Sequence, residues 1–181
     1  MTSLIRDIRL LIKSPRDYLY SFSYPGNKKV IIKPFDPGVT RVVQKITADL
    51  KILCPGLRVH FIGSSGLKIA GANDIDLYLS CSLTEFSFYL KKLQGYFGPC
   101  KKFRGNIVEW EIVISGFPVD VVLIDLHNRR LRNQLALYNL LKTDRKLKQQ
   151  YVKLKLGLNG ASQREYIRSR MDFFNRIKIP S

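Results

Sequence analysis

Gly63-Ser64-Ser65-Gly66, followed by Asn73-Asp74-Ile75-Asp76-Leu77-Tyr78-Leu79, is a run of small residues leading into an alternating one. The first part reads as a tight turn at the end of a strand, and the second as a strand that carries two acids. Successive strand side chains point to opposite faces, so Asp74 and Asp76 share one face about 6.5 Å apart. Ile75, Leu77 and Leu79 then fall on the other face, toward a core. Two carboxylates on one strand face, just after a turn that can approach a phosphate, are an oxygen-donor set suited to a divalent cation on a nucleotide.

Working outward, residues 57–63 (Leu-Arg-Val-His-Phe-Ile-Gly) read as the strand that delivers the turn. His60 on that strand is expected to be a packed residue rather than a ligand. Upstream, Asp36-Pro37 has the form of a helix start, with Asp as N-cap and Pro at the first helical position. Val42, Val43, Ile46 and Leu50 follow at helical spacing as far as Cys54-Pro55-Gly56. Residues 29–33 read as a short strand. Residues 15–28 are aromatic, with Tyr18, Tyr20, Phe22 and Tyr24 expected to cover a core edge. Residues 2–13 read as a short amphipathic helix stopped by Ser14-Pro15.

Downstream, Ser82 and Glu85 have capping-box spacing and open a helix expected to end near Gly95. Lys101, Lys102 and Arg104 form a basic patch before Gly105. Residues 107–114 alternate, with Val108, Trp110, Ile112 and Ile114 inward. Residues 117–124 are apolar on both faces except at Asp120, the pattern of a central strand. A charge inside such a run calls for a reason. From residue 127 the spacing is helical, with Ser162 and Glu165 as a second capping box. The polar faces there are basic, with Arg129, Arg130, Arg132, Lys142, Arg145, Lys146, Lys148, Lys153, Lys155, Arg164, Arg168 and Arg170.

That charge is the outlying feature of the composition. Thirty-one Lys and Arg against fourteen Asp and Glu give +17 over 181 residues. Polyanions are the expected partners, nucleic acid first among them. Cys54, Cys81 and Cys100 form no CxxC pair, so zinc spacing is absent and free thiols in a reducing compartment are expected. Leu4, Ile5 and Ile8 near the start are interrupted by Arg6, Asp7 and Arg9, which breaks any secretory apolar run. No apolar run is long enough to span a membrane. A cytoplasmic protein without membrane association is the reading that follows.

Asp74, Asp76 and Asp120 are the acids that stand out. If their strands are neighbours, the carboxylates converge and together suffice for two Mg²⁺ (or Mn²⁺) ions. Gly63, Ser64 and Ser65 would offer close backbone approach and hydroxyls to phosphates, and Lys68 a cation. The bland alternative is that Asp74 caps a turn after Asn73, while Asp76 and Asp120 bind Arg or Lys. Glu109 and Glu111 share a strand face and read as further site acids or as solvated ones. Asp125 is the weaker third ligand, since it falls on the opposite face from Asp120.

The ordered set Gly63-Ser64, Asp74-Ile75-Asp76-Leu77 and Val119-Asp120-Val121-Val122 resembles the signature of the polymerase-β-like nucleotidyltransferase superfamily. A finer resemblance is to its GrpB-like branch, over roughly residues 30–176. Pro34-Phe35-Asp36-Pro37 is similar to that branch's early element, and the tail with Tyr151, Leu154, Lys155, Tyr166, Phe173 and Phe174 to its helical end. The loop departs from the branch where Phe61 follows His60 and where Gly66-Leu67-Lys68 follows the turn.

The resemblance implies an α/β (α+β) fold with a small mixed sheet flanked by helices and a C-terminal helical segment. The expected organisation is an N-terminal basic and aromatic arm over 1–28, a nucleotidyltransferase core over 29–126, and basic helices over 127–181 packed on the core. The implied activity is metal-dependent transfer of an NMP from an NTP such as ATP to an acceptor hydroxyl. Asp74, Asp76 and Asp120 would be the catalytic and metal-binding residues, and Gly63, Ser64, Ser65 and Lys68 the nucleotide-binding ones. The charge favours a nucleic-acid acceptor, RNA above DNA. The alternatives are a protein or small-molecule acceptor, or a non-catalytic nucleotide- or nucleic-acid-binding module.

Overall fold

A computed structural model describes Asp7 and residues 14–177; the helix expected over 2–13 lies outside the described residues. The described chain divides into two units. One is Pro34–Thr143, and the other joins residues up to Lys33 with those from Asp144 onward.

Pro34–Thr143 holds the sheet. Helix α2 (Gly38–Leu53) starts one residue later than expected: Pro37 is the N-cap, and the Asp36 carboxylate just before it accepts from the Gly38 amide at 2.7 Å. Strand β1 (Arg58–Ile62) runs into a single helical turn, α3 (Gly63–Gly66), and then strand β2 (Ile75–Cys81). Helix α4 (Leu83–Phe97) opens with the Ser82/Glu85 capping box. It continues past Gly95 to Gly98, whose φ of +83° is a conformation that glycine adopts cheaply. Strands β3 (Lys102–Arg104), β4 (Ile107–Ile114) and β5 (Phe117–Asp125) follow, then helix α5 (Arg129–Thr143). The segment 102–104, whose sequence shows only charge, is thus an edge strand.

The sheet order is β1-β2-β5-β4-β3, with β2 parallel to β5 and every other neighbour antiparallel. The apolar run 117–124 therefore occupies the centre, as a strand buried on both faces must. Consecutive strands β4 and β5 meet in a two-residue hairpin. Ser115 and Gly116 both have positive φ there, the turn that suits the twist of paired strands.

One sheet face packs on α2 and α4. Ile75, Leu77, Leu79, Val121 and Leu123 from the strands meet Ile46 and Leu50 of α2 and Leu93 of α4. Trp110 joins them, and its indole N–H donates to the Gly98 carbonyl at 3.0 Å. On the opposite face Leu131 of α5, with Leu135 and Tyr138, covers Ile62, Tyr78, Val122 and Ile124. Tyr78, Val122 and Ile124 share that face with Asp76 and Asp120, and Ile62 is the strand partner of Asp76.

In the second unit, Pro15 opens a helix: α1 (Pro15–Tyr20) precedes a 3₁₀ turn, Ser21–Ser23. Helix α6 (Arg145–Gly157) is capped by Asp144, and α7 (Gln163–Phe174) by Ser162. The expected strand at 29–33 is not part of a sheet. Lys29 makes one isolated bridge to Ser162, and Val30 exchanges backbone bonds with the turn at Gly160 and Ala161. Tyr151 of α6 stacks on Phe173 of α7 with centroids 5.5 Å apart and packs at a tilt against Phe174 at 5.0 Å.

Two of the cations expected on basic surfaces lie inside this unit. Lys155 is 1% exposed, with its ammonium 5.5 Å over the Tyr151 ring. Arg168 lies over Tyr18 and Phe22 and bonds Asp7 and Ser21. Among the described residues no helix is long and apolar enough to cross a membrane.

Two substitutions test this packing in opposite directions. Leu79→Ala removes a side chain with no solvent exposure from the main core, and is expected to cost about 2–5 kcal/mol in urea denaturation. Gly95→Ala places a methyl group in open space within α4, and is expected to raise stability by about 0.5–1 kcal/mol.

Candidate functional site

The site is built on the β2–β5 register. In that parallel pair Asp76 is the direct partner of Asp120. Across β5, Glu111 of β4 is the direct partner of Asp120, and across β2, Ile62 is the partner of Asp76. Three acids, Asp76, Asp120 and Glu111, thus stand in one row across three strands, at neighbour spacings of about 5 Å. Asp74 lies one residue before β2 begins, half-buried in the loop that leads into it. The turn bonds in that loop belong to Asn73, not to Asp74. The Asn73 side chain donates to the Pro34 carbonyl at 2.9 Å and accepts from the Asp36 amide at 3.1 Å. Asn73 itself has φ +59°, a conformation Asn tolerates better than most residues.

The Gly-Ser turn sits against this row. Gly63 has φ +72°, and a Cβ there would lie 1.9 Å from an Asp76 carboxylate oxygen. Only glycine permits both the backbone conformation and that approach. The turn is held from the α5 side, where the Tyr138 hydroxyl donates to the Gly66 carbonyl at 3.0 Å. Ser65 is 1% exposed. Ser64 is half-buried, and its carbonyl accepts from the Ile69 amide. Lys68 is exposed, two residues past the turn, at φ +54°.

Asp120 reaches solvent, yet its ionisation is displaced. The protein packed around its carboxyl, and next the charges of Glu111 and Asp74, push it up to about 6, with Lys101 opposing. Glu109, one strand residue pair away, moves the other way. Burial alone would raise it, but Arg130, Lys102 and Arg104 bring it below the usual value. Arg130 donates to Glu109 at 2.6 Å and lies 5.7 Å over the Tyr78 ring. Lys101 contacts Glu111, and Lys102 stands 3.7 Å from Glu109 and 3.8 Å from Glu111.

His60 is a packed residue, as expected, with Nε2 2.9 Å from the Ser80 hydroxyl. Its protonation is disfavoured by burial and then by Arg58. Asp125 pairs in register with Cys81 on the α2/α4 face, away from Asp120, and its buried Oδ1 has no hydrogen-bond partner among the described residues.

The structure therefore brings Asp76 and Asp120 side by side, with Asp74 near enough for its charge to act on Asp120. Among the described residues, no group of three or more His, Cys, Asp and Glu side chains is arranged so that it could hold a metal ion. The pairing of Glu111 with Asp120 is the feature that alternation alone leaves open. Counting outward from the Ser115-Gly116 hairpin turn would have found it, because a two-residue hairpin fixes the register.

No family model and no curated protein matches the chain. Solved structures do. The chain has the fold of the conserved protein GrpB from Enterococcus faecalis, with a TM-score of 0.56 and 16% identity over 81% of this chain and 99% of that one. The likeness implied by Pro34-Phe35-Asp36-Pro37 and the helical tail thus holds at the level of fold. Weaker similarity extends to a cytoplasmic RNA terminal U-transferase, with TM-score 0.48 and 21% identity over 79% of this chain and 44% of that one. The Cid1 poly(U) polymerase with MgGTP bound gives 0.48 and 19% over 78% and 46%. The chain spans less than half the length of these two transferases.

Two expectations follow for the site. Gly63→Ala drives a methyl group onto Asp76 and forces a strained φ, and is expected to cost about 2–4 kcal/mol in urea denaturation. The second concerns pH. Asp120 keeps its proton in the folded protein up to about 6, whereas the ordinary value is 3.8. Between those values the folded state binds the extra proton, so stability from this group is greatest at low pH and falls as pH rises through that window. Carboxyl NMR is expected to give an Asp120 midpoint near 6 in the wild type and a lower one in Glu111→Gln. Asp120→Asn is expected to abolish the fall in urea midpoint across the same window.

Proposed function

We propose that this chain is a metal-dependent nucleotidyltransferase that moves an NMP from an NTP to an acceptor hydroxyl, with RNA as the acceptor. One observation carries the reading: Asp76 and Asp120 are direct partners on neighbouring parallel strands, and the Gly63 turn lies against Asp76. The residues suit a hard divalent cation, for their donors are carboxylate oxygens on a face left open by α5. Mg²⁺ needs no all-protein cage, since it is commonly held by one or two carboxylates together with substrate phosphates and water.

In this reading Asp76 and Asp120 hold the cation, and Asp74 adds negative charge beside them from the loop. Mg²⁺ or Mn²⁺, when bound, neutralises phosphate charge and makes the attacking hydroxyl more acidic. Asp120 gives up its proton near pH 6, so it is mostly ionised and ready for a cation at neutral pH. Gly63 allows the backbone close to the phosphates, with Ser64 and Lys68 flanking that approach, while Ser65, expected beside them, is buried under the turn. The acceptor's backbone phosphates are met by the exposed cations Arg129, Arg132 and Lys142 on α5. Such contacts position a strand without reading its sequence. The charge of +17 and the absence of CxxC spacing fit a cytoplasmic protein that works on nucleic acid.

Incubation with α-labelled NTPs, Mg²⁺ or Mn²⁺ and total RNA or whole lysate tests the proposal. Label is expected on RNA with the wild type, reduced at least ~100-fold in Asp76→Asn and Asp120→Asn. Label on protein would move the acceptor. Equal labelling by wild type and variants would remove the acids from the chemistry. Salt-dependent RNA binding without transfer, unchanged in both variants, would make the chain a binder.

A further inference from the structure

An acid row repels the polyphosphate it is proposed to serve, so cations must stand close by. Lys68, the lysine that the sequence offers, projects from an exposed position beyond the turn. The structure supplies two others. Lys101 and Lys102 lie at the β3 edge of the sheet, beside β4. The Lys101 amide donates to the Glu109 carbonyl at 2.8 Å, and Lys102 is the direct partner of Glu109. The backbone thus fixes where both side chains start.

Both ammonium groups then lean on one carboxylate. Lys101 contacts Glu111, and Lys102 stands 3.8 Å from it. Glu111 is in turn the strand partner of Asp120. A line of charge therefore runs from Asp76 through Asp120 and Glu111 to the two lysines. The lysine side chains are 53% and 45% exposed, so an incoming anion has access to them. Exposed ammonium–carboxylate pairs are weak and exchange readily. A triphosphate offers more charge and more acceptor oxygens than one carboxylate, and takes lysines from it.

We infer that Lys101 and Lys102 are the polyphosphate-binding cations of the acid face, held ready by Glu111 and handed to the phosphates when nucleotide binds. The inference rests on reading that face as a nucleotide site. Edge strands often carry lysines merely to block pairing with another chain. That role needs charge at the edge, but it does not need two ammonium groups gathered on the carboxylate next to Asp120.

Calorimetric titration of the full chain with inorganic triphosphate, and with ATP plus Mg²⁺, is the test. Lys101→Ala/Lys102→Ala is expected to weaken both by about tenfold or more, while Lys101→Arg/Lys102→Arg keeps most of the affinity. Glu111→Gln removes the competing carboxylate and is expected to tighten triphosphate binding by about threefold. Lys45→Ala/Lys51→Ala on α2 makes the same change in net charge and is expected to stay within about twofold of wild type. Binding by the alanine pair equal to wild type, or Glu111→Gln binding no tighter than wild type, would overturn the inference while leaving the acid site standing. A wild type that binds neither ligand would overturn the acid-site reading, and this inference with it.

Discussion

The parallel pairing of Ile75–Cys81 with Phe117–Asp125 is the constraint on which the rest depends. A parallel pair cannot be joined by a tight turn, so the chain must leave the sheet and return. It does so through α4 and the strands β3 and β4, which places β4 on the far side of β5. That one crossover puts Asp76 and Asp120 side by side and leaves Asp120 between an acid on each neighbouring strand. The raised ionisation of Asp120 follows from the same topology, because packing and the charge of Glu111 both reach it through the sheet.

The open end of the acid face depends on where α5 stops. Leu131, Leu135 and Tyr138 cover Ile62, Tyr78, Val122 and Ile124, and burial of these apolar groups fixes the helix there. Tyr138 then spends its hydroxyl on the Gly66 carbonyl, so the helix that closes one end of the face also holds the turn at the other.

The excess positive charge is not one uniform coat. Lys155 and Arg168 lie within the packed aromatic residues of their unit, and Arg130, Lys101 and Lys102 are engaged with Glu109 and Glu111. Amphipathic side chains bury their stems and stack their heads, so a helical wheel overstates how much charge faces water. What remains exposed on α5 and α6 still exceeds what local acids neutralise, which keeps a polyanionic partner in view.

The sequence by itself determined the strands read at 57–63, 73–79, 107–114 and 117–124 to within two residues, the helices that cover them, and the caps at Ser82 and Ser162, because alternation, helical spacing and capping are local properties of the chain. It also singled out Asp120, since a lone acid in an apolar run is legible without coordinates. It misjudged the end of α4, where an exposed glycine costs too little to stop a packed helix. It also misjudged residues 29–33, whose β-branched residues found only a turn to pair with. Only the tertiary structure decided that Asp76, Asp120 and Glu111 share a row, that Gly63 lies against Asp76, and that Asp74 stands off the strand. Register and crossover are set by which strands bury their apolar faces together, and no spacing along one strand carries that information.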